Sequence, residues 1–331
     1  MRQRLFVILF ALVLLSSWFS FHQINYVHAM SPNSHMSPLQ QFKMNTPINN
    51  IVCQSNLQLI MKKSDGSPAC VTPGSMMVLI ERGWAIHVLP EYAKEGTKNS
   101  DMFDGGSLEI KTESVNYFEN TTGYIARPNQ EGNFPGAILI HEWWGLNDNI
   151  KSMARGLASH GYVVLAADLY AGQVATTPDG ARKLMLSFDN EKGMSNINSA
   201  SNILRQNYNV SKIATIGWCF GGSQSLNYAL SGNKVDATVI YYGQPVTNVT
   251  KLSEIKWPIL GFYGEKDQSI SVDKVREFKS TLDTMGIKNE IHIYPSLGHA
   301  FANPSGANYA PKETNDAWNK TLSFLDNNLK S

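Results

Sequence analysis

Charge of either sign in excess is what this chain lacks. Of its 331 residues 17% are charged, and 28 Lys and Arg against 27 Asp and Glu leave a formal net charge of +1. With no basic field and no acidic tail, nothing points to nucleic acid as a partner; a small, largely uncharged substrate fits this balance better than a polyanion. Cysteine is equally scarce. There are three, at positions 53, 70 and 219, an odd number that leaves one thiol over if the first two pair. Long apolar runs are also missing, apart from one, Leu5 to about Phe21. Apolar residues nevertheless make up 43% of the chain, a globular and not a disordered composition. A length of 331 residues suits one large domain with a smaller appendage.

The single apolar run lies behind Arg2 and Arg4, and Val27-His28-Ala29 follows it as a site for cleavage. Residues 1–29 read as an export signal, with an uncleaved membrane anchor holding the protein on the outer face as the alternative. The N-x-S/T tripeptides at Asn120, Asn209, Asn248 and Asn319 agree with export, with little weight.

Residues 30–51 are polar and carry Pro32, Pro38 and Pro47, as a linker would. Between Cys53 and Cys70 stand Leu57, Leu59 and Ile60, then the turn Asp65-Gly66-Ser67-Pro68. This predicts a small hairpin stapled by a Cys53–Cys70 disulfide, which a unit of this size needs. Met76 to Ile80 predicts a short helix ending at Gly83, and residues 92–106 a second linker. Residues 30–105 are thus read as linker plus small module, and residues 106–331 as the main domain.

From about Leu108 the pattern changes. Gly123 to Arg127 reads as an edge strand. Ala137 to His141, Tyr162 to Ala166, Lys212 to Gly217, Ala237 to Tyr241, Ile259 to Tyr263 and Glu290 to Tyr294 are short apolar runs of the kind found in buried parallel strands. Helical stretches alternate with them: Asn147 to His160, two between Asp179 and Tyr208, Gly221 to Leu230, Ser271 to Thr284 and Pro311 to Leu329. This alternation predicts an α/β fold, a mostly parallel central sheet with helices on both faces.

Gly217-Trp218-Cys219-Phe220-Gly221-Gly222 falls at the joint between a strand and a helix. Glycines let the strand turn sharply, and the turn lifts the side chain at position 219 to the top of the sheet. The helix N-terminus then favours a thiolate there. An acid and a histidine follow in the order a hydrolase triad requires. Asp267 comes just past the strand ending at Tyr263, and His299 just past the one ending at Tyr294. Each has a bland reading when taken singly: an inert thiol in a glycine turn, a turn cap, a solvated loop histidine. Their joint placement is what argues for catalysis. A fourth loop, His141-Glu142-Trp143-Trp144-Gly145, follows the strand Ala137 to Ile140. It predicts oxyanion donors at the backbone N–H groups of Trp143 and Phe220, with Glu142 facing the same crevice as Cys219.

These residues resemble the dienelactone hydrolase family of the α/β hydrolases. The likeness rests on Glu142 to Gly145, on Ala167-Asp168-Leu169-Tyr170, on the cysteine elbow, on the Gly264 to Asp267 loop and on Gly298-His299-Ala300-Phe301. It covers about two-thirds of the chain. It implies a Cys219-His299-Asp267 triad and a part for Glu142 in generating the thiolate. It implies hydrolysis of a small ester or lactone through a thioester, with no metal or organic cofactor. Acyl transfer, amide cleavage or a cell-envelope binding role on the same scaffold are the rival readings. Two substrate-holding arginines of dienelactone-cleaving members have no clear match: Asn303 replaces one, and Arg182 lies only in the region of the other.

Overall fold

The computed structural model describes residues 36–72 and 75–87 in part, Phe103, and residues 105–330 throughout. The export segment and most of the second linker lie outside the described residues. No helix among the described residues is long and apolar enough to cross a membrane.

The N-terminal module is a three-stranded antiparallel sheet of β1 (Gln58–Lys62), β2 (Pro68–Val71) and β3 (Ala85–His87), in the order β2-β1-β3. The hairpin forms as the Asp65-Gly66 turn predicts: Asp65 accepts from the Ser67 N–H and hydroxyl, and Gly66 takes a φ of 67°. Cys53 and Cys70 form a disulfide with Cα atoms 5.7 Å apart. The apolar core is tiny: Ile60, Met76 and Ala85. Ser75, Met76 and Leu79 are helical, while Gly83, the expected end of that helix, lies outside the described residues.

Part of the first linker is ordered, contrary to expectation. Pro38–Lys43 forms α1, started by a capping box in which the Ser37 hydroxyl and the Gln40 side chain each accept from the other's backbone N–H. The buried side-chain amide of Gln41 pairs with both the N–H and the C=O of Val52, at 2.8 Å each, as a neighbouring strand would. This ties α1 to the segment that enters Cys53.

The main domain holds eight strands. In chain order they are β4 (Ile110–Phe118), β5 (Thr121–Pro128), β6 (Gly136–Ile140), β7 (Val163–Ala167), β8 (Ile213–Trp218), β9 (Ala237–Tyr241), β10 (Ile259–Gly264) and β11 (Asn289–Tyr294). Their order in the sheet is β11-β10-β9-β8-β6-β7-β5-β4. From β11 to β7 all pairings are parallel; β5 joins β7, and β4 joins β5, antiparallel. The segment read as an edge strand is therefore interior: β5 is covered by β4, which is the true edge. β4 escaped notice because most of it faces solvent and its sequence, Ile-Lys-Thr-Glu-Ser-Val-Asn-Tyr-Phe, is largely polar.

Strands β6 to β10 are buried along their whole length, which explains their unbroken apolar runs. Alternate residues feed two cores. Ala137 and Leu139 face the layer containing α2 (Asp148–Ser159), α7 (Val272–Thr284) and α8 (Pro311–Leu329). Ile138 and Ile140 face the layer under α4 (Asn190–Asn207), which follows α3 (Pro178–Leu186). Helix α5 (Phe220–Leu230) contributes to both, and α6 (Val249–Leu252) is a single turn. Phe103, in the stretch read as linker, is buried with its ring 4.8 Å from that of Trp318 on α8. Gln58 of β1 donates to the Ala307 carbonyl at 2.8 Å, joining the module to the loop that follows His299.

Candidate active site

Cys219 sits at the joint of β8 and α5 with φ 54° and ψ −115°, a conformation rare for a residue with a side chain. Its neighbours have no room for one. A Cβ on Gly217 would come 2.0 Å from the Gly221 carbonyl oxygen, and one on Gly221 2.1 Å from that of Ile140. The Cys219 N–H donates to the Tyr241 carbonyl at 2.9 Å, which pins the turn to β9. The thiol is free and half-buried.

Three loops at the carboxyl ends of parallel strands meet here. His299 Nε2 lies 3.0 Å from Cys219 Sγ, and its Nδ1 lies 2.7 Å from Asp267 Oδ2. The other Asp267 oxygen accepts from the backbone N–H of Ser269 at 2.7 Å and of Ile270 at 3.0 Å, so the carboxylate cannot swing away. Asn308 holds the His299 carbonyl at 2.9 Å, and the Tyr242 ring stands edge-on to the imidazole at 5.2 Å. Burial opposes charge on His299, but hydrogen bonds to Asp267 and Cys219 and the charges on both outweigh it. Its pKa rises from 6.5 to about 10.

Glu142 is buried at 6% exposure. Its two oxygens accept from the Tyr242 hydroxyl at 3.3 Å and from the Asn303 side-chain amide. The partner bonded to the sulfur is His299, not Glu142. Burial pushes the Glu142 pKa up to about 7, against the attraction of His299 and the two hydrogen bonds. A carboxyl poised at neutrality in a crevice is a mark of functional sites.

The backbone around Glu142 is fixed by His141. Its Nε2 accepts the Leu169 N–H at 3.1 Å, so Nδ1 carries the proton and donates to the Glu142 carbonyl at 2.6 Å. Complete burial lowers its pKa and keeps it neutral. The N–H groups of Trp143 and Phe220 meet no acceptor among the described residues, and Phe220 is the first residue of α5. Among the described residues no group of three or more His, Cys, Asp or Glu side chains is arranged to hold a metal ion.

Sequence reasoning missed Tyr242 and His141. It named Asn303 only as a missing arginine, yet Asn303 bonds Glu142 directly. The signal for Tyr242 was its place just past β9, with an uncommon φ of 39°. Arg182 lies exposed on α3.

Residues 121–329 match the dienelactone hydrolase family. A protein of Aquifex pyrophilus named usf is 35% identical over 213 residues, which cover 61% of this chain and 91% of that protein. An Aquifex aeolicus protein named "Putative carboxymethylenebutenolidase" is 33% identical, over 63% of this chain and 94% of its own. Among solved structures, a Klebsiella pneumoniae protein titled "Putative Dienelactone Hydrolase" superposes with a TM-score of 0.60 at 27% identity, covering 66% of this chain and 98% of that one. The fold, the aligned length and these likenesses agree: the chain belongs to the dienelactone hydrolase family and is a hydrolase of the ester- and lactone-cleaving type.

Proposed function

We propose that the protein hydrolyses a small carboxylic ester or lactone through a thioester on Cys219. The observation that carries this reading is the unbroken chain from Asp267 through His299 to Cys219, at 2.7 and 3.0 Å. The thiolate adds to the substrate carbonyl, and the carbonyl electron pair moves onto oxygen, facing the N–H groups of Phe220 and Trp143. Such donors are worth about 3 kcal/mol each in the transition state. The pair returns, the carbon–oxygen bond breaks, and the leaving alkoxide takes a proton from His299. His299 then takes a proton from water as the hydroxyl adds to the thioester, and thiolate leaves. Asp267 orients the imidazole and balances its charge throughout.

Glu142 acts through charge. Ionised, it attracts the His299 imidazolium and opposes the nearby thiolate; neutral, it does neither. Export across a membrane is part of the proposal, supported by the pattern of residues 1–29 and by a disulfide in the N-terminal module.

Rapid-quench mass spectrometry during hydrolysis of a panel of esters and lactones is the test. The expected result is an acyl mass increment on the peptide containing Cys219. Full activity in Cys219→Ala, with no adduct on the wild type, would sink the proposal.

A further inference from the structure

The loop after β7 is fastened to the loop after β6 at two points. The Leu169 N–H donates to His141 Nε2 at 3.1 Å, and the Ala175 N–H donates to the Trp144 carbonyl at 2.8 Å. Between these fasteners the two backbones nearly touch: a Cβ on Gly145, at φ 94°, would stand 2.3 Å from the Gln173 carbonyl oxygen. Asp168 shapes the intervening turn, accepting the N–H of Tyr170 at 2.9 Å and of Gly172 at 2.5 Å. This construction holds Tyr170.

The Tyr170 ring bridges two places. Its centroid is 4.8 Å from the His141 ring, just ahead of Trp143, and 5.5 Å from the ring of Phe220, just after the nucleophile. Phe220 carries one of the two unpaired backbone N–H groups, and His141 stands two residues before Trp143, which carries the other. Phe188 closes the aromatic cluster against Phe220 at 4.9 Å. Tyr170 is 6% exposed, and its hydroxyl is buried with no hydrogen-bond partner among the described residues. Buried hydroxyls nearly always have a partner, so an orphan one at a reaction centre calls for an account. Burial first, and then the charge on the Cys219 sulfur, raise the phenol pKa. The hydroxyl therefore stays protonated and available as a donor.

We propose that Tyr170 is a catalytic residue, the third donor of the oxyanion pocket, whose hydroxyl hydrogen-bonds the substrate carbonyl oxygen as Cys219 adds to it. The inference rests on the thioester reading above. Tyr170 moves no proton: the sulfur–carbon bond forms, the carbonyl pair passes to oxygen, and the phenol O–H points at the new charge. When the pair returns and the leaving alkoxide departs with a proton from His299, the hydroxyl relaxes to its unpartnered state. An interaction made only at the tetrahedral stage speeds the reaction without tightening ground-state binding.

The test is Tyr170→Phe, which removes one oxygen and keeps the ring packing. With p-nitrophenyl acetate and a γ-lactone, kcat should fall about 10²-fold, the scale for one lost oxyanion donor, with KM within about twofold. The melting temperature should not fall, since the lost hydroxyl had no partner. Alkylation of Cys219 by iodoacetamide between pH 5 and 9 should match wild type, because that reaction forms no oxyanion. A kcat within about threefold of wild type, a loss confined to KM, or alkylation slowed in parallel with kcat each overturns the proposal. Cys219→Ala measured alongside separates the two ideas. If it is inactive while Tyr170→Phe is normal, only the tyrosine inference falls. If it is active, the thioester reading falls and takes the tyrosine with it.

Discussion

The two parts of this molecule are held together by different means. The N-terminal module has three short strands, three fully buried apolar side chains and a disulfide. The main domain has five strands buried from end to end, two packed layers and no disulfide among the described residues. Where burial is scarce, a covalent link limits the unfolded chain instead; where burial is abundant, none is needed. The large domain also holds a cysteine in a rare backbone conformation, a buried carboxyl and an orphan hydroxyl.

If the chemistry belongs wholly to the large domain, the greatest effect should come from its nucleophile. Cys219→Ala should lose ester hydrolysis by 10³-fold or more while stability stays within about 1 kcal/mol, because the thiol is only half-buried at the edge of the core. Steady-state rates and a denaturant titration check both halves. A strongly destabilised variant would mean that the thiol is structural.

Glu142→Gln should come next, with kcat/KM down about 10²-fold and the inflection near pH 7 gone from its pH profile. Stability should respond as well. The folded-state pKa of Glu142 is raised from 4.5 to about 7, so its contribution is complete below pH 4.5 and is lost as pH rises through about 7. That is on the order of 3 kcal/mol. Urea unfolding at several pH values should show a shallower decline for Glu142→Gln over that window. Superimposable curves and rate profiles would reduce Glu142 to a bystander.

His299 also has a raised pKa, so it supports folding below about pH 6.5 and loses that support as pH rises through about 10. Two of the effects that raise it come from Cys219. In Cys219→Ala the imidazole should titrate lower, which NMR of its ring carbons would show; an unchanged titration would mean that the sulfur and imidazole are not paired in solution.

The smallest effect on activity should come from the module. Replacing Cys53 and Cys70 by alanine should destabilise it by roughly 3 kcal/mol, from the 17-residue separation in the chain-entropy model. Limited proteolysis should then cut between residues 57 and 87 and leave the large domain whole. Hydrolysis rates should remain within about twofold, although Gln58 reaches Ala307 beside the Asn308 that holds His299. A tenfold fall would show that the module braces the histidine loop and that the two parts are not independent.

Much of this was legible in the sequence, for a definite reason. Strands β6 to β10 are apolar because both faces are covered, and the elbow is glycine-rich because carbonyl oxygens stand about 2 Å from where Cβ atoms would be. Such features are written locally. β4 was lost because an exposed antiparallel edge needs little apolar sequence, and β3 because three residues carry no periodicity. α1 was hidden by the prolines in and around it, though its capping box stood in Ser37 to Gln40. The roles of Tyr242 and Asn303 were not legible, although Tyr242 stands just past β9 and Asn303 just past His299. Their importance comes from meeting Glu142 across separations of 100 and 161 residues, which only the folded chain reveals.

The crowding at the elbow also bears on how this protein can change over generations. Gly217 and Gly221 abut backbone oxygens, which cannot rotate aside as side chains do. Any replacement at either position is closed to natural variation, however favourable its chemistry. Position 219 is half-buried, and a serine there would occupy nearly the same space as the cysteine. The inheritance of this enzyme is therefore rigid in its frame and free in its reagent. New activities in its lineage should arise by exchanging the reacting atom or the loops around it, not by moving the site.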